Sequence, residues 1–317
     1  MTSPYLSPRR LERGSRVAII APSSPITSAK CIVKALPVFE KHGLIPVLGD
    51  NLRFLRSRDW SSAPVEDRID EFVWGFEDDS IDAVFVAEGG FSSIQLVPHL
   101  PYDLIAQSRK IFMGMSDVTC IGNAMLKASG LVNFNGPNVR IREDMPNDRQ
   151  SLGDAIELLM SEGAWADKPF KRMSNTFAQC VCPGVVRGKA VGGNLTLFCS
   201  LIGTPYMPDL DGCVLFFEDI HASGYEVALM LNQLELAGVF DRAAGVVFGE
   251  FCKVPRRGAQ DKTIDDVVVD FFTANMPCVF GMNFSHGDST AVIPLGVDAL
   301  LDAEQCLVAF DDPFVGN

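Results

Sequence analysis

Four short stretches of this 317-residue sequence carry residue types suited to chemistry at a carbonyl. In KIFMGMSDVT, residues 110–119, an apolar run passes through Gly114 to Ser116 and turns at once into a helical pattern. A hydroxyl at such a strand-to-helix bend projects above the sheet edge, and N–H groups of the first helical turn face whatever it attacks. That is the logic of a nucleophile elbow, although Gly114-Met115-Ser116-Asp117-Val118 lacks the second glycine of the usual pattern. The same stretch is explained without chemistry if Ser116 or Asp117 is a helix N-cap, the position both residue types prefer.

A serine is a weak nucleophile unless a base takes its proton and a third group orients that base. The sequence has four histidines. His42 and His99 fall at expected helix ends, where an imidazole meets the last carbonyls. His286, in NFSHGDST, follows an apolar strand on a loop beside Gly287. His221 shares FFEDIHASG with Glu218 and Asp219, at the carboxyl end of the strand VLFF. Acids seldom stand at buried strand ends without a partner. Taken singly, Glu218 is equally an acid facing water, and His286 an ordinary loop histidine. In AEGGF, Gly89 and Gly90 follow a strand directly. Glycines there allow backbone N–H groups to approach a reacting atom as an oxyanion hole, or simply mark a turn.

The elements that must position these residues follow from periodicity. Apolar runs at 17–21, 45–48, 83–87, 111–115 and 131–134 alternate with segments of helical spacing such as Val65, Ile69, Phe72, Val73 and Phe76. Alternating strands and helices predict a doubly wound, mostly parallel α/β sheet over residues 1–140. Ligands of such sheets sit beyond the carboxyl ends of the strands, which points to the loops APSSP, AEGGFSS and GMSDVT. Residues 141–187 are polar and turn-rich around one short helical pattern at 155–160, and are expected to be a linker and surface loop. Residues 188–317 are expected to form a second, mixed α/β domain with strands at 214–217 and 245–248, a helix at 225–236 and a strand-rich end carrying TAVIPLG.

The balance of 27 Lys plus Arg against 40 Asp plus Glu gives a formal charge of −13, which repels phosphate backbones and anionic lipid. Nucleic acid polymers and membranes are therefore not expected as partners. Nine scattered cysteines do not form the dense, even framework of a small secreted protein and read as reduced thiols in a cytoplasmic protein. Cys180 and Cys182, the only close pair, lack a second pair, so no metal is expected. The first apolar run is too short for a signal core or a membrane span.

The stretches GMSDVT, GGNLTLFCSLIGTPYMPDLDGCVLFFED, LNQLELAGVFDRAAGVVFGEF and SHGD followed by IPLG together resemble the LD-carboxypeptidase and microcin C immunity family of serine peptidases. The resemblance runs in the family's order from VAIIAPSS to IPLG. It implies a Ser-Glu-His triad divided between two domains: Ser116 as nucleophile, His286 as general base and acid, Glu218 as the group orienting the imidazole. It also implies oxyanion donors at the backbone N–H groups of Gly90 and Asp117, no cofactor, and a homodimer. Tetrapeptide-trimming members typically read RGGYG where this chain has EGGFSS followed by IQL, which resembles the microcin immunity branch. Trp165, in AWADKPF, is similar to the loop tryptophan of that branch, where an aromatic can stack on a nucleotide base; read by itself it is equally a loop tryptophan packing on the domain edge. The substrate so implied is an aminoacyl nucleotide or a related small peptide, the alternative being a muramoyl tetrapeptide. Outside catalysis, the same pocket would serve a module that only binds a peptide or nucleotide; Ser116, Glu218 and His286 together favour catalysis.

Overall fold

The computed structural model describes residues 5–26, 28–53, 60–161, 178–255, 258, 261–272, 276–287, 290–310 and 315–316. The chain divides into two compact units. The first comprises Met1–Gly163 with Ala291–Gly296 and Phe314–Asn317, and the second Ala164–Thr290 with Val297–Pro313.

In the first unit, β1 (Arg16–Ile20), β2 (Ile45–Leu48), β3 (Ala83–Val86), β4 (Ile111–Gly114) and β5 (Asn133–Asn135) form a parallel sheet in the order β5-β4-β3-β1-β2. The helices are α1 (Ala29–Lys41), α2 (Asp50–Arg53), α3 (Val65–Glu77), α4 (Tyr102–Ser108), α5 (Thr119–Ser129) and α6 (Asp148–Leu159). This is the doubly wound architecture, whose strand order reverses between β1 and β3. β3 and β4 are buried along their whole length, which only a sheet covered on both faces requires. Phe72 and Phe76 of α3 stack on each other with centroids 5.1 Å apart, and Phe72 meets Phe112 of β4 at 5.6 Å.

The face that α3 buries is not purely apolar: with Phe72, Gly75 and Phe76 it carries Arg68 and Glu71 inward. Between residues 141 and 187, where a linker and surface loop were expected, α6 is twelve residues long and buries Leu152, Ala155, Ile156, Leu158 and Leu159.

The second unit holds β6 (Gln179–Cys182), β7 (Val185–Asn194), β8 (Val214–Ile220), β9 (Gly245–Cys252) and β10 (Cys278–Met282). β11 (Ile293–Leu295), by contrast, runs antiparallel along β5 of the first sheet, so IPLG adds a strand there rather than to the second block. β12 (Asp298–Asp302) and β13 (Leu307–Phe310) return to the second sheet, whose order is β13-β12-β7-β8-β9-β10-β6. Its centre, β7 to β10, is parallel and its margins antiparallel. The accompanying helices are α7 (Leu195–Cys199), α8 (Gly224–Leu236), α9 (Val239–Arg242) and α10 (Ile264–Phe272). Among the described residues no helix is long and apolar enough to cross a membrane.

Candidate active site

Ser116 follows β4 directly, and its backbone takes φ 69°, a left-handed conformation that a residue with a side chain adopts at a cost. It opens a single 3-10 turn, Ser116–Val118, which runs into α5. Neither element takes a side-chain cap, so Ser116 does not serve as an N-cap. The peptide before it is fastened by buried Asn138, whose Oδ1 accepts the Met115 N–H at 3.0 Å.

The glycine pair lies against this serine. A methyl group on Gly89 would stand 2.8 Å from Ser116 Cβ and 2.9 Å from its Oγ, closer than atoms pack. Gly90 has φ 149°, and a side chain there would overlap the hydroxyls of Ser23 and Ser24 in the loop after β1. Only glycine therefore satisfies both positions, one for closeness and the other for its backbone angle. The Gly89 N–H donates to Glu88 Oε1 at 3.0 Å, and the same carboxylate is paired with Arg140.

Asp117 is fully buried. Its Oδ2 accepts from the Ser92 N–H at 2.8 Å, the Ser93 N–H at 2.7 Å and the Ser23 hydroxyl. Arg68 is also buried; it reaches the loops after β1 and β3 through the Pro22 carbonyl at 2.9 Å, the Ser92 carbonyl at 3.1 Å and Gln95 Oε1 at 2.6 Å. Burial pulls the Arg68 guanidinium below its ordinary value, opposed by the charges of Asp117 and Glu66.

In the second unit Glu218 stands near the carboxyl end of β8, 1% exposed, so it does not face water. Its Oε2 is 2.6 Å from His286 Nδ1, and its Oε1 accepts the Asn194 side-chain amide at 3.3 Å. An imidazole whose Nδ1–H is held by a buried carboxylate keeps Nε2 as its basic nitrogen. His286 Nε2 is buried and has no hydrogen-bond partner among the described residues. The turn that carries it is secured by Ser285, whose Oγ accepts the Gly287 N–H at 3.0 Å and donates to Glu250 Oε2 at 3.3 Å. Cys252, 3.8 Å from Ser285 Oγ, has its thiol pushed up to about 11 by burial. The neighbouring Asp219 carboxyl is raised by burial while accepting from Thr196 N–H and hydroxyl.

Ser116, Gly90 and Asp117 thus share one strand-end region of the first unit, and Glu218 and His286 form a bonded pair in the second. His42 binds the Val38 carbonyl through Nδ1 at 2.7 Å at the end of α1, as expected of a helix-end histidine. His221 is exposed, with φ 67°, and is not part of the pair. Trp165 and Asp288 lie outside the described residues. Among those residues no group of three metal-ligating side chains occurs. Arg68, Ser92, Asn138 and Asn194 were not singled out from sequence, because their roles depend on partners many residues away.

The chain that carries these residues, a doubly wound sheet followed by a mixed sheet, is similar over most of its length to known proteins. Residues 17–136 match the LD-carboxypeptidase N-terminal domain, and residues 187–301 its C-terminal domain. A probable murein peptide carboxypeptidase of Bacillus subtilis is 30% identical over 300 residues, covering 94% of this chain and 92% of that protein. The crystal structure of a muramoyltetrapeptide carboxypeptidase from Oxalobacter formigenes covers 94% of this chain and 98% of its own, with a TM-score of 0.78 at 26% identity. The microcin self-immunity protein MccF, in complex with glutamyl sulfamoyl guanosine, superposes with a TM-score of 0.88 over 98% of this chain and 100% of its own, at 21% identity. The protein is an enzyme of the serine-type carboxypeptidase class. Within that class the chain belongs to the LD-carboxypeptidase family.

Proposed function

We propose that the chain hydrolyses an amide by attack of Ser116 Oγ on the carbonyl carbon, through an acyl-enzyme. His286 Nε2 takes the serine proton and passes it to the leaving amine; water then attacks the ester, its proton going to the same nitrogen. Glu218 holds Nδ1–H and stabilises the imidazolium. The N–H groups of Gly90 and Asp117 receive the negative charge that develops on the carbonyl oxygen. The observation that carries this reading is the buried 2.6 Å bond from His286 Nδ1 to Glu218, which leaves Nε2 as the free basic nitrogen.

For the substrate, the EGGFSSIQL loop supports an aminoacyl nucleotide of the microcin type, with Trp165 stacking on the base. The 30% identity to a probable murein peptide carboxypeptidase supports a second reading, a tetrapeptide with an L-centre to D-Ala bond. We place the working form in the cytoplasm as a homodimer.

A fluorophosphonate probe tests the reaction: mass spectrometry should find the adduct on Ser116, and Ser116→Ala should lose turnover by ~10⁴–10⁶ with its fold intact. An adduct elsewhere, or a variant keeping a tenth of the activity, refutes the assignment. Offering an aminoacyl-sulfamoyl adenosine beside an L,D-tetrapeptide separates the two substrates.

A further inference from the structure

The backbone of Asp117 has a place in the proposed chemistry, but its side chain does not, and it occupies an unusual position. A carboxylate buried this completely is costly unless its oxygens are satisfied. Oδ2 takes three donors, and they come from two different loops: Ser23 after β1, and Ser92 and Ser93 after β3. Both loops bear directly on the glycine turn. Ser92 and Ser93 follow Gly90 by two and three residues; on the other side the Ser24 N–H donates to the Gly89 carbonyl at 3.0 Å. Ser93 closes the circuit by donating its hydroxyl to the Asp117 carbonyl at 2.7 Å.

Arg68 acts on the same loops from behind. Its guanidinium donates to Ala63, Pro22 and Ser92 carbonyls, to Ser92 Oγ and to Gln95 Oε1, and none of these bonds goes to Asp117. An arginine present only to neutralise the acid would point its fork at the carboxylate. Here acid and base grip Ser92 from its N–H and from its carbonyl, and so fix the segment that leads out of Gly90.

We propose that the Asp117 side chain, opposed by Arg68 across Ser92, is a positioning residue that holds the Gly89–Gly90 turn at the spacing from Ser116 on which oxyanion stabilisation depends. The proposal rests on Ser116 being the nucleophile. Oxyanion donors act only within a few tenths of an ångström of their optimum, so releasing the turn is felt in the chemical step rather than in encounter with the substrate.

The test is the kinetics of fluorophosphonate labelling of the full chain, resolved into the encounter constant and the rate of covalent capture, with thermal melts alongside. Asp117→Ala removes all three acceptor bonds. Capture should slow by ~10²–10³, the size of losing one oxyanion donor, with the encounter constant changed less than about threefold. Asp117→Asn keeps an acceptor oxygen in the place of Oδ2, because Oδ1 has no partner among the described residues, and should recover capture to within about tenfold of wild type. A purely structural role would lower the melting temperature of Asp117→Ala and leave capture by the folded protein unchanged; that result overturns the proposal. So does an Asn variant as slow as the Ala variant. If Asp117→Ala does not fold, Ser23→Ala removes one of the three donors; capture should slow about 3- to 10-fold, and an unchanged rate overturns the proposal. If wild-type Ser116 takes no label, the functional reading itself has failed, an outcome distinct from a labelled wild type with an unaffected Asp117→Ala.

Discussion

Replacing Glu218 with Gln tests the His286 pair through tautomer chemistry. The change keeps the shape of the side chain but gives it one donor and one acceptor. Asn194 Oδ1 already accepts from the Leu197 N–H at 3.2 Å as the N-cap of α7, which turns the Asn194 amide nitrogen toward residue 218 at 3.3 Å. The Gln oxygen is therefore drawn to Asn194, and its NH₂ is left facing His286 Nδ1 across the 2.6 Å contact. Nδ1 must then accept, so the ring proton moves to Nε2 and the nitrogen meant to act as base becomes a donor. Loss of the correct tautomer costs ~10⁴ in kcat where it has been measured in serine hydrolases, and a drop of ~10³–10⁴ is expected here. The geometry also specifies a rescue. Adding Asn194→Asp retains a good helix cap, places an acceptor where the amide nitrogen stood and lets the Gln turn its oxygen back to Nδ1–H. The double variant should recover at least ~10-fold over Glu218→Gln alone, a gain of about 1.4 kcal/mol in the barrier. The assay is the rate of fluorophosphonate capture at Ser116, followed by turnover once a substrate is in hand. More than a tenth of wild-type rate in Glu218→Gln, or no gain on adding Asn194→Asp, would refute the tautomer argument.

Gly89→Ala puts a carbon 2.8 Å from Ser116 Cβ, which demands a shift of roughly 0.7 Å toward the usual ~3.5 Å; capture should fall by ~10²-fold while stability drops by only ~1–3 kcal/mol, and equal rates of labelling would show that Gly89 does not abut the reacting hydroxyl. Burial raises the Glu71 carboxyl above 4.5, so its contribution to stability is complete below that value and is lost as pH rises through the folded-state value. Glu71→Gln should therefore gain in melting temperature relative to wild type as pH is taken from 4.5 upward, and a pH-independent difference would contradict the sign. Burial pushes the thiols of Cys199 and Cys213 up to about 12 and that of Cys252 to about 11, whereas Cys180 is exposed. A disulfide reagent at pH 7.5 should modify Cys180 first and reach Cys199, Cys213 and Cys252 only in denaturant, as peptide mapping would show.

Short-range pattern was enough to establish the alternation of strands and helices, the placing of Ser116 at a bend and of Glu218 at a strand end, because each depends on the period and turn chemistry of about ten consecutive residues. The ordered motifs from VAIIAPSS to IPLG also carried the family resemblance. The sequence alone left Ser116 open between cap and nucleophile; the φ of 69°, the uncapped turn and the abutting Gly89 appear only in three dimensions. Residues 218 and 286 are 68 positions apart, and neither shows on its own that the acid is buried or that it holds Nδ1. IPLG reads as one more strand of the second block, yet it pairs with β5, because the edge of a sheet accepts any strand whose backbone can reach it, whatever its place in the chain. Arg68 draws no notice in the sequence and Asp117 only as a cap or through its backbone N–H, yet both are buried in the fold. What admits them is a set of carbonyls and N–H groups on separate loops, and a one-dimensional pattern contains no record of which loops will meet.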